Sequence, residues 1–338
     1  MSNSLKKIFI FTLTVLLVVS VFGLCQTFAK EKVYTIKYSH VLPETHATHI
    51  TARDVFKKYL EEESNGRLKV ELYPNAQLGG ERQALESVQL GTLDMTVTTG
   101  AVLAAIENKF MVLNLPYLFK NEEEAYRLLD GEIGKELSNS VLSKGVKVLA
   151  IAENGFRNIT NSRRPITKPE DAKGLKIRTM ENPVHMDIFR ALGANPTPMS
   201  FGELYTALQQ GTVDAQENPI PIIYTSKFYE VQKYCTLDGH VYGTAVIMMN
   251  ANLFNGLPED LQQIVLKGAA KYRDAQRAMN QKMNSEMVSL LREEGMEVIE
   301  LTPEQKQLFV DATIGIYDKY AEEIGKDMIE LIKKETNR

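Results

Sequence analysis

Residues 81–98 read ERQALESVQLGTLDMTVT, and the hydrophobic period changes partway through. Glu81 to Leu90 has the spacing of an amphipathic helix, Gly91 is suited to close it, and Leu93 to Thr98 reads as a strand. Upstream, Val33 to Ser39 (VYTIKYS) alternates bulky and polar residues as a strand does, and Pro43-Glu44-Thr45 breaks the pattern. Ile50, Val55, Phe56, Tyr59 and Leu60 then share a helical face that Gly66 ends, and Arg67 to Tyr73 reads as a second strand. The order β-α-β-α-β predicts an α/β sheet of crossover units with its functional loops at the carboxyl ends of strands.

The same signature returns further along. Gln89-Leu90-Gly91-Thr92-Leu93-Asp94 is echoed by Gln209-Gln210-Gly211-Thr212-Val213-Asp214, again between an amphipathic segment and a strand-like one. Two similar α/β lobes would produce this echo, and so would a favoured helix-to-strand turn used twice. Ser200 and Glu203, ahead of Leu204, Tyr205 and Leu208, have the spacing of a capping box. Beyond Pro258, apolar residues recur at helical spacing from Leu261 to Leu291, until Gly295. One helix of that extent would be about 54 Å long, enough to lie along both lobes. Two helices bent near Gly268 would fit the same pattern.

The 338 residues are 24% charged and 44% hydrophobic with a net charge of −4, a composition that predicts an ordered chain of about two domains. Lys and Arg total 39 against 43 acidic residues, with no basic block, so no nucleic-acid partner is expected. Lys6 and Lys7 precede an uncharged run from Ile8 to Leu24, and Thr27-Phe28-Ala29 follows with small residues where a signal peptidase reads. Residues 1–29 are therefore read as a cleaved export signal, placing the protein in the periplasm or otherwise outside the cytoplasm. An uncleaved anchor is the alternative, and bulky Leu24 before Cys25 argues against lipid attachment. Cleavage would leave Cys235 as the only thiol and no disulfide, so stability must come from a core.

Little in the sequence points to catalysis. His40, His46 and His49 cluster, but without a metal-binding motif, and solvated or cap-region histidines explain them better. No nucleophile elbow occurs, Cys235 has no motif around it, and Leu78-Gly79-Gly80-Glu81 lacks the Lys-Ser/Thr of a phosphate loop. No metal or cofactor is expected. Three polar residues are placed for binding instead, each read as following a strand: Arg157 after Lys147 to Ala152, Arg178 at the end of Leu175-Lys176-Ile177-Arg178, and Asn218 after Val213 to Ala215. A guanidinium at such a position can hold a carboxylate by two parallel hydrogen bonds. An exposed arginine on a solvated face is the plainer reading of Arg178.

Asn154-Gly155-Phe156-Arg157, Gly174 to Arg178, Pro198 to Glu203 and Asp214 to Pro219 resemble the motifs of the extracytoplasmic solute-binding proteins of TRAP transporters, the DctP family. Leu72-Tyr73-Pro74, Gln77 to Arg82 and Lys227 to Val231 fit the same family, and the resemblance runs from about Tyr34 to Glu294. It implies a two-lobed periplasmic-binding-protein fold with a ligand cleft between the lobes and a long helix spanning both. The lobes would be 30–153 with about 242–280, and 154–241 with about 281–338. By the resemblance, Arg178 would pair with the carboxylate of a small organic acid, Arg157 would be a second cleft cation, and Asn218 would orient the acid group. Phe201 would wall the pocket and Asn182 would follow Arg178 into it. From the other lobe, His40 and Glu81 would reach the distal end of the ligand, and His240 would join the polar network. Glu81 and His40 favour a ligand with hydroxyls, since a carboxylate accepts hydrogen bonds that an alkyl chain cannot donate.

The implied partners are the small and large membrane subunits of a TRAP permease driven by an ion gradient. The ligand would be a sugar acid, such as a uronate or aldonate, or a C4-dicarboxylate, enclosed by lobes closing about a hinge. A ligand sensor for a membrane kinase and a periplasmic enzyme acting on sugar acids are the other classes the same residues would suit.

Overall fold

The structure is a computed structural model that describes residues 32–336, so the export signal read in residues 1–29 lies outside the described residues. The sheet begins with β1 (Tyr34–Ser39), β2 (Leu68–Tyr73) and β3 (Met95–Thr99), close to where the alternation places them. All five residues of β3 are buried, as in a strand covered on both faces. β1 runs parallel to β3, with Tyr38 opposite Met95. The helix Glu81–Leu90 leads into β3 through Gly91, whose φ of 76° fits the left-handed cap expected of it. Gly211 does the same at φ 69° after the helix Phe201–Gln209, so the echoed segments share one local geometry. The expected capping box does not form: Ser200 starts that helix without a side-chain cap.

The remaining strands are β4 (Val146–Asn161), β5 (Lys176–Thr179), β6 (Asn195–Pro198), β7 (Ala215–Pro219), β8 (Tyr234–Asn250) and β9 (Glu297–Glu300). They form one sheet in the order β2-β1-β3-β8-β4-β7-β5-β6, with β9 also on β8. β3 pairs with one end of β8, from Met95–Met249 to Thr99–Ala245. β7 pairs with the far end of β4, from Arg157–Pro219 to Asn161–Ala215. The antiparallel pair β4–β8 therefore passes from one lobe into the other.

The sequence reading ended this strand at Ala152, with Arg157 following it through Asn154-Gly155-Phe156. The strand instead continues to Asn161, because Gly155, at φ 110°, takes up a bulge in the ladder opposite Gly243. Arg157 thus lies inside a strand, while Arg178 and Asn218 are the penultimate residues of β5 and β7, not residues beyond a strand end.

The helix Glu259–Glu293 is continuous for 35 residues, about 52 Å, without the alternative break near Gly268. Its first half buries Leu261, Val265, Ala269 and Tyr272, and the Tyr272 hydroxyl donates to Thr48 O (3.0 Å). At its other end Leu291 joins a second apolar cluster with Leu204, Ile222 and Phe228. The last helices, Gly315–Ile324 and Lys326–Thr336, bury Ile324, Met328 and Ile332 in a cluster that holds Phe110 and Leu113 as well as Phe189, and Lys109 pairs with Asp327 at 3.0 Å. None of the helices among the described residues is long and apolar enough to cross a membrane.

Gly268 serves close packing. A Cβ there would fall 2.3 Å from Leu60 Cδ1 and 3.1 Å from Tyr59 Cδ1. Gly268→Val should overpack this contact and cost about 1–3 kcal/mol in urea denaturation; unchanged stability would show that the helix Lys58–Glu63 yields freely.

Candidate ligand-binding site

A cavity with about 440 Å³ of empty space, partly open to solvent, lies between the lobes. The first lobe contributes Val41, Leu42 and Thr48, Glu81 at the start of its helix, and Val97, Thr98 and Thr99 at the carboxyl end of β3. The crossing strands supply Asn154, Arg157, Thr244 and Ala245, and the second lobe supplies Arg178, Met180, Phe201, Asn218 and Ile222. Five of the sequence-read site residues therefore share one cavity: Glu81, Arg157, Arg178, Phe201 and Asn218.

The two arginines are in different electrostatic states. Arg157, 1% exposed, donates from Nε to Glu217 Oε2 and from Nη2 to Glu217 Oε1 (2.8 Å), Glu217 O (2.6 Å) and Asn218 Oδ1 (3.1 Å). Burial alone would raise the Glu217 pKa, but Arg157, His185 and His240 hold it well below the usual carboxylate range. His240 places Nδ1 2.7 Å from Asp238 Oδ2 and Nε2 3.2 Å from Glu217 Oε2. Burial lowers its pKa, yet the two carboxylates outweigh that and push it up to about 9, so the ring is a cation donating to both. Asp238, His240, Glu217 and Arg157 thus form a buried chain of alternating charge.

Arg178 stands outside this chain. It is 2% exposed, and its Nε donates to Met199 O at 2.9 Å, while its two Nη groups make no hydrogen bond to a described residue. Desolvation lowers its pKa to about 10, opposed by Glu217 and Glu81, which leaves it charged at neutral pH. Asn218 accepts from Arg157 and donates to Gln216 Oε1 (2.5 Å). Glu81 accepts the Thr99 N–H (2.9 Å), and burial raises its pKa. A planar donor pair on a buried cation can take a carboxylate in two parallel bonds, and Glu81 and the threonines can meet hydroxyls.

Three expected cleft residues do not line the cavity. His40, buried at the end of β1, spends Nε2 on His49 Nδ1 (3.1 Å). Asn182 caps the helix Pro183–Ala191 with its Oδ1 and donates across the lobes to Ala101 O (3.0 Å). His240 sits behind Glu217, as a member of the polar network. His46 is a helix cap, accepting the Thr48 N–H at 3.2 Å, and all three clustered histidines are buried, not solvated. No group of metal-ligating side chains converges among the described residues, and Cys235 is a free buried thiol.

The sequence reading missed Glu217, Asp238 and the threonines. Thr98 and Thr99 were accessible to it, since they end a strand at the position used to single out Arg178. Glu217 and Asp238 had no such signal, because their importance comes from partners 60 and 2 residues away.

The fold and the site define a two-lobed binding protein: the lobes share two strands and a long helix, and they meet over a cavity with an uncommitted guanidinium. Residues 38–323 match the DctP family, "Bacterial extracellular solute-binding protein, family 7", and the chain belongs to that family. The sugar acid binding protein DctPAm of Advenella mimigardefordensis, solved with galactonate, is 36% identical with a TM-score of 0.88, covering 90% of this chain and 98% of its own. A TRAP periplasmic solute binding protein of a Polaromonas species, bound to D-erythronate, is 40% identical with a TM-score of 0.85, covering 88% and 98%. The C4-dicarboxylate-binding periplasmic protein DctP of Rhodobacter capsulatus is 35% identical over 304 residues, 89% of this chain and 90% of its own. The protein is thus an extracytoplasmic solute-binding protein of the TRAP type, from a family of binding proteins and not of enzymes.

Arg157→Ala should strip Glu217 of its main partner and cost about 3–5 kcal/mol of stability, read by chemical denaturation. A near-native midpoint would mean that Arg157 acts only as a ligand cation. His240 has a folded pKa of about 9 against an unfolded value near 6.5, so its contribution is complete below pH 6.5 and is lost as pH rises through 9. The stability gap between the wild type and His240→Gln should narrow by roughly 3 kcal/mol between pH 6.5 and 9; a constant gap would show that the ring is neutral in the folded protein.

Proposed function

We propose that this protein captures a hydroxylated monocarboxylate of the sugar-acid class on Arg178 and presents it, enclosed between closed lobes, to the membrane subunits of a TRAP permease. A cleaved N-terminal signal would deliver it to the periplasm. The observation that carries the reading is the buried Arg178 guanidinium, whose Nη groups have no acceptor among the described residues while Arg157 is already neutralised by Glu217. Arg157 and Asn218, bonded to each other, line the pocket beside this cation, and Phe201 walls it beside Ile222.

The distal half separates sugar acids from dicarboxylates. Beyond the two arginines, Glu81 is the only charged side chain lining the cavity among the described residues. A second ligand carboxylate would therefore meet a carboxyl and no free cation. Hydroxyls instead find acceptors in Glu81, Thr98, Thr99 and Thr244. Galactonate and erythronate, bound by two of the relatives, carry one carboxylate and several hydroxyls, which supports the choice.

Calorimetry with galactonate, erythronate and succinate tests it. The two aldonates should bind more tightly than succinate, and Arg178→Ala should weaken them by about 2–5 kcal/mol while leaving the ligand-free fold as stable as before. Arg178→Lys should also bind poorly, since an ammonium keeps the charge and loses the fork. Near-native affinity in Arg178→Ala would overturn the site, and preferred binding of succinate would overturn the ligand class.

A further inference from the structure

Away from the ligand cavity, a buried carboxyl sits at the point where the lobes are joined. The β4–β8 ladder slips between Glu153 and Gly155, and Gly155 lies opposite Gly243, so the crossing strands have no side chains at that pair to resist bending. A Cβ at Gly243 would lie 3.1 Å from Asn154 Cβ and 3.3 Å from Gly155 O, so the two strands are also too close there to accept one. The long helix grips this bulge. Gln276 accepts the Glu153 N–H (3.0 Å) and donates to the Glu153 carbonyl (2.7 Å), Arg277 donates to Ile151 O (2.6 Å), and Asn280 donates to Asn154 O (3.3 Å).

The Glu153 side chain, 2% exposed, lies within that grip. Asn280 Nδ2 is 3.2 Å from its Oε1, and the Tyr126 hydroxyl, from the helix Glu122–Leu129 of the first lobe, bonds its Oε2. The charged and titratable groups facing it are Glu122 and Tyr126 from that helix, Arg277 from the long helix, and Tyr242 from β8. Arg277 is paired to Asp130 at 2.7 and 2.9 Å, so it does not serve as a dedicated counter-ion. We propose that Glu153 is a protonation-set lock on the hinge. As a neutral carboxyl it stays dry where β4, the long helix and Tyr126 meet, and as a carboxylate buried without a dedicated counter-ion it requires water, which the joint must open to admit. Asn154, the next residue, lines the ligand cavity, so loosening this joint frees the lobes to part.

The titration supports the geometry. Burial raises the Glu153 pKa to about 8, Glu122 adds to the effect, and Asn280 and Arg277 oppose it. A loosened, hydrated carboxyl titrates near the ordinary 4.3. Opening therefore releases a proton between those two values, and the opening constant rises with pH across that window and levels off above about 8.

Hydrogen exchange of the purified, ligand-free protein tests the lock without reference to any ligand. The backbone amides of residues 150–157 and 242–246, corrected for the intrinsic pH dependence of exchange, should open up to about tenfold more for each pH unit between 5 and 8, then plateau. Glu153→Gln should give a flat profile. Glu122→Gln, which leaves the hinge itself intact, should move the plateau to lower pH because it removes a neighbouring negative charge. A flat wild-type profile, a slope retained in Glu153→Gln, or a plateau unmoved in Glu122→Gln would each overturn the proposal.

Discussion

Two guanidinium groups side by side in a buried cleft repel each other, and each loses its hydration. The site is stable because only one of them lacks a permanent counter-ion. Glu217 takes Arg157 through both of its oxygens and its backbone carbonyl, and His240 and Asp238 extend the alternation of sign behind it. Arg178 remains charged in spite of its burial, because Glu217 and Glu81 oppose the desolvation. Glu217 belongs to β7 and Arg157 to β4, directly paired strands, so the sheet register that builds the second lobe also closes the ion pair.

The same strands determine what kind of movement the molecule can make. Most ligand cavities between domains are joined by loops, but here β4 and β8 pass through the joint as a paired ladder, and the long helix lies across it. Of the three register shifts in this ladder, the middle one places Gly155 opposite Gly243, where no side chains would resist bending. At that level the helix presents Gln276, Arg277 and Asn280, polar residues in the middle of an otherwise apolar face, because backbone groups freed by the bulge must be satisfied. The irregularity at Gly155 thus accounts for the polar segment of the helix and is where the proposed hinge would lie.

Much of the architecture was legible because it follows local rules. The strands around Glu81–Leu90, the glycine caps at Gly91 and Gly211, and the continuous helix after Pro258 all follow from period and punctuation. The full length of β4 did not, since Asn154-Gly155 looks locally like a turn and only pairing with β8, some ninety residues away, makes it a bulge. The site divides similarly. Arg178, Arg157 and Asn218 could be singled out by their places relative to strands, and the family resemblance gave each a role. Which arginine is free depends on Glu217, and the exclusion of Asn182 and His40 from the cavity depends on hydrogen bonds to Ala101 and His49. Those are facts of tertiary pairing.

The two halves of the cavity also differ in rigidity, and this bears on the order of recognition. Arg157, Arg178 and Asn218 stand on strands, with side chains fixed by several hydrogen bonds or by burial, so a carboxylate meets a site already formed in one lobe. The opposite wall, Glu81 with Thr98 and Thr99, belongs to the other lobe, which meets the first wall through contacts such as Asn182 with Ala101 and His185 with Asn114, and under the proposed function it would come into register only on closure. Under the proposed function, the charge would set which ligands enter and the hydroxyl pattern would set how long the closed form lasts. An acid with nothing at its far end would engage Arg178 and still leave Glu81, buried and raised in pKa, without a partner beyond the Thr99 amide. The closed form would then gain less from that ligand, which is how a single arginine can be general for acids while the protein remains selective among them.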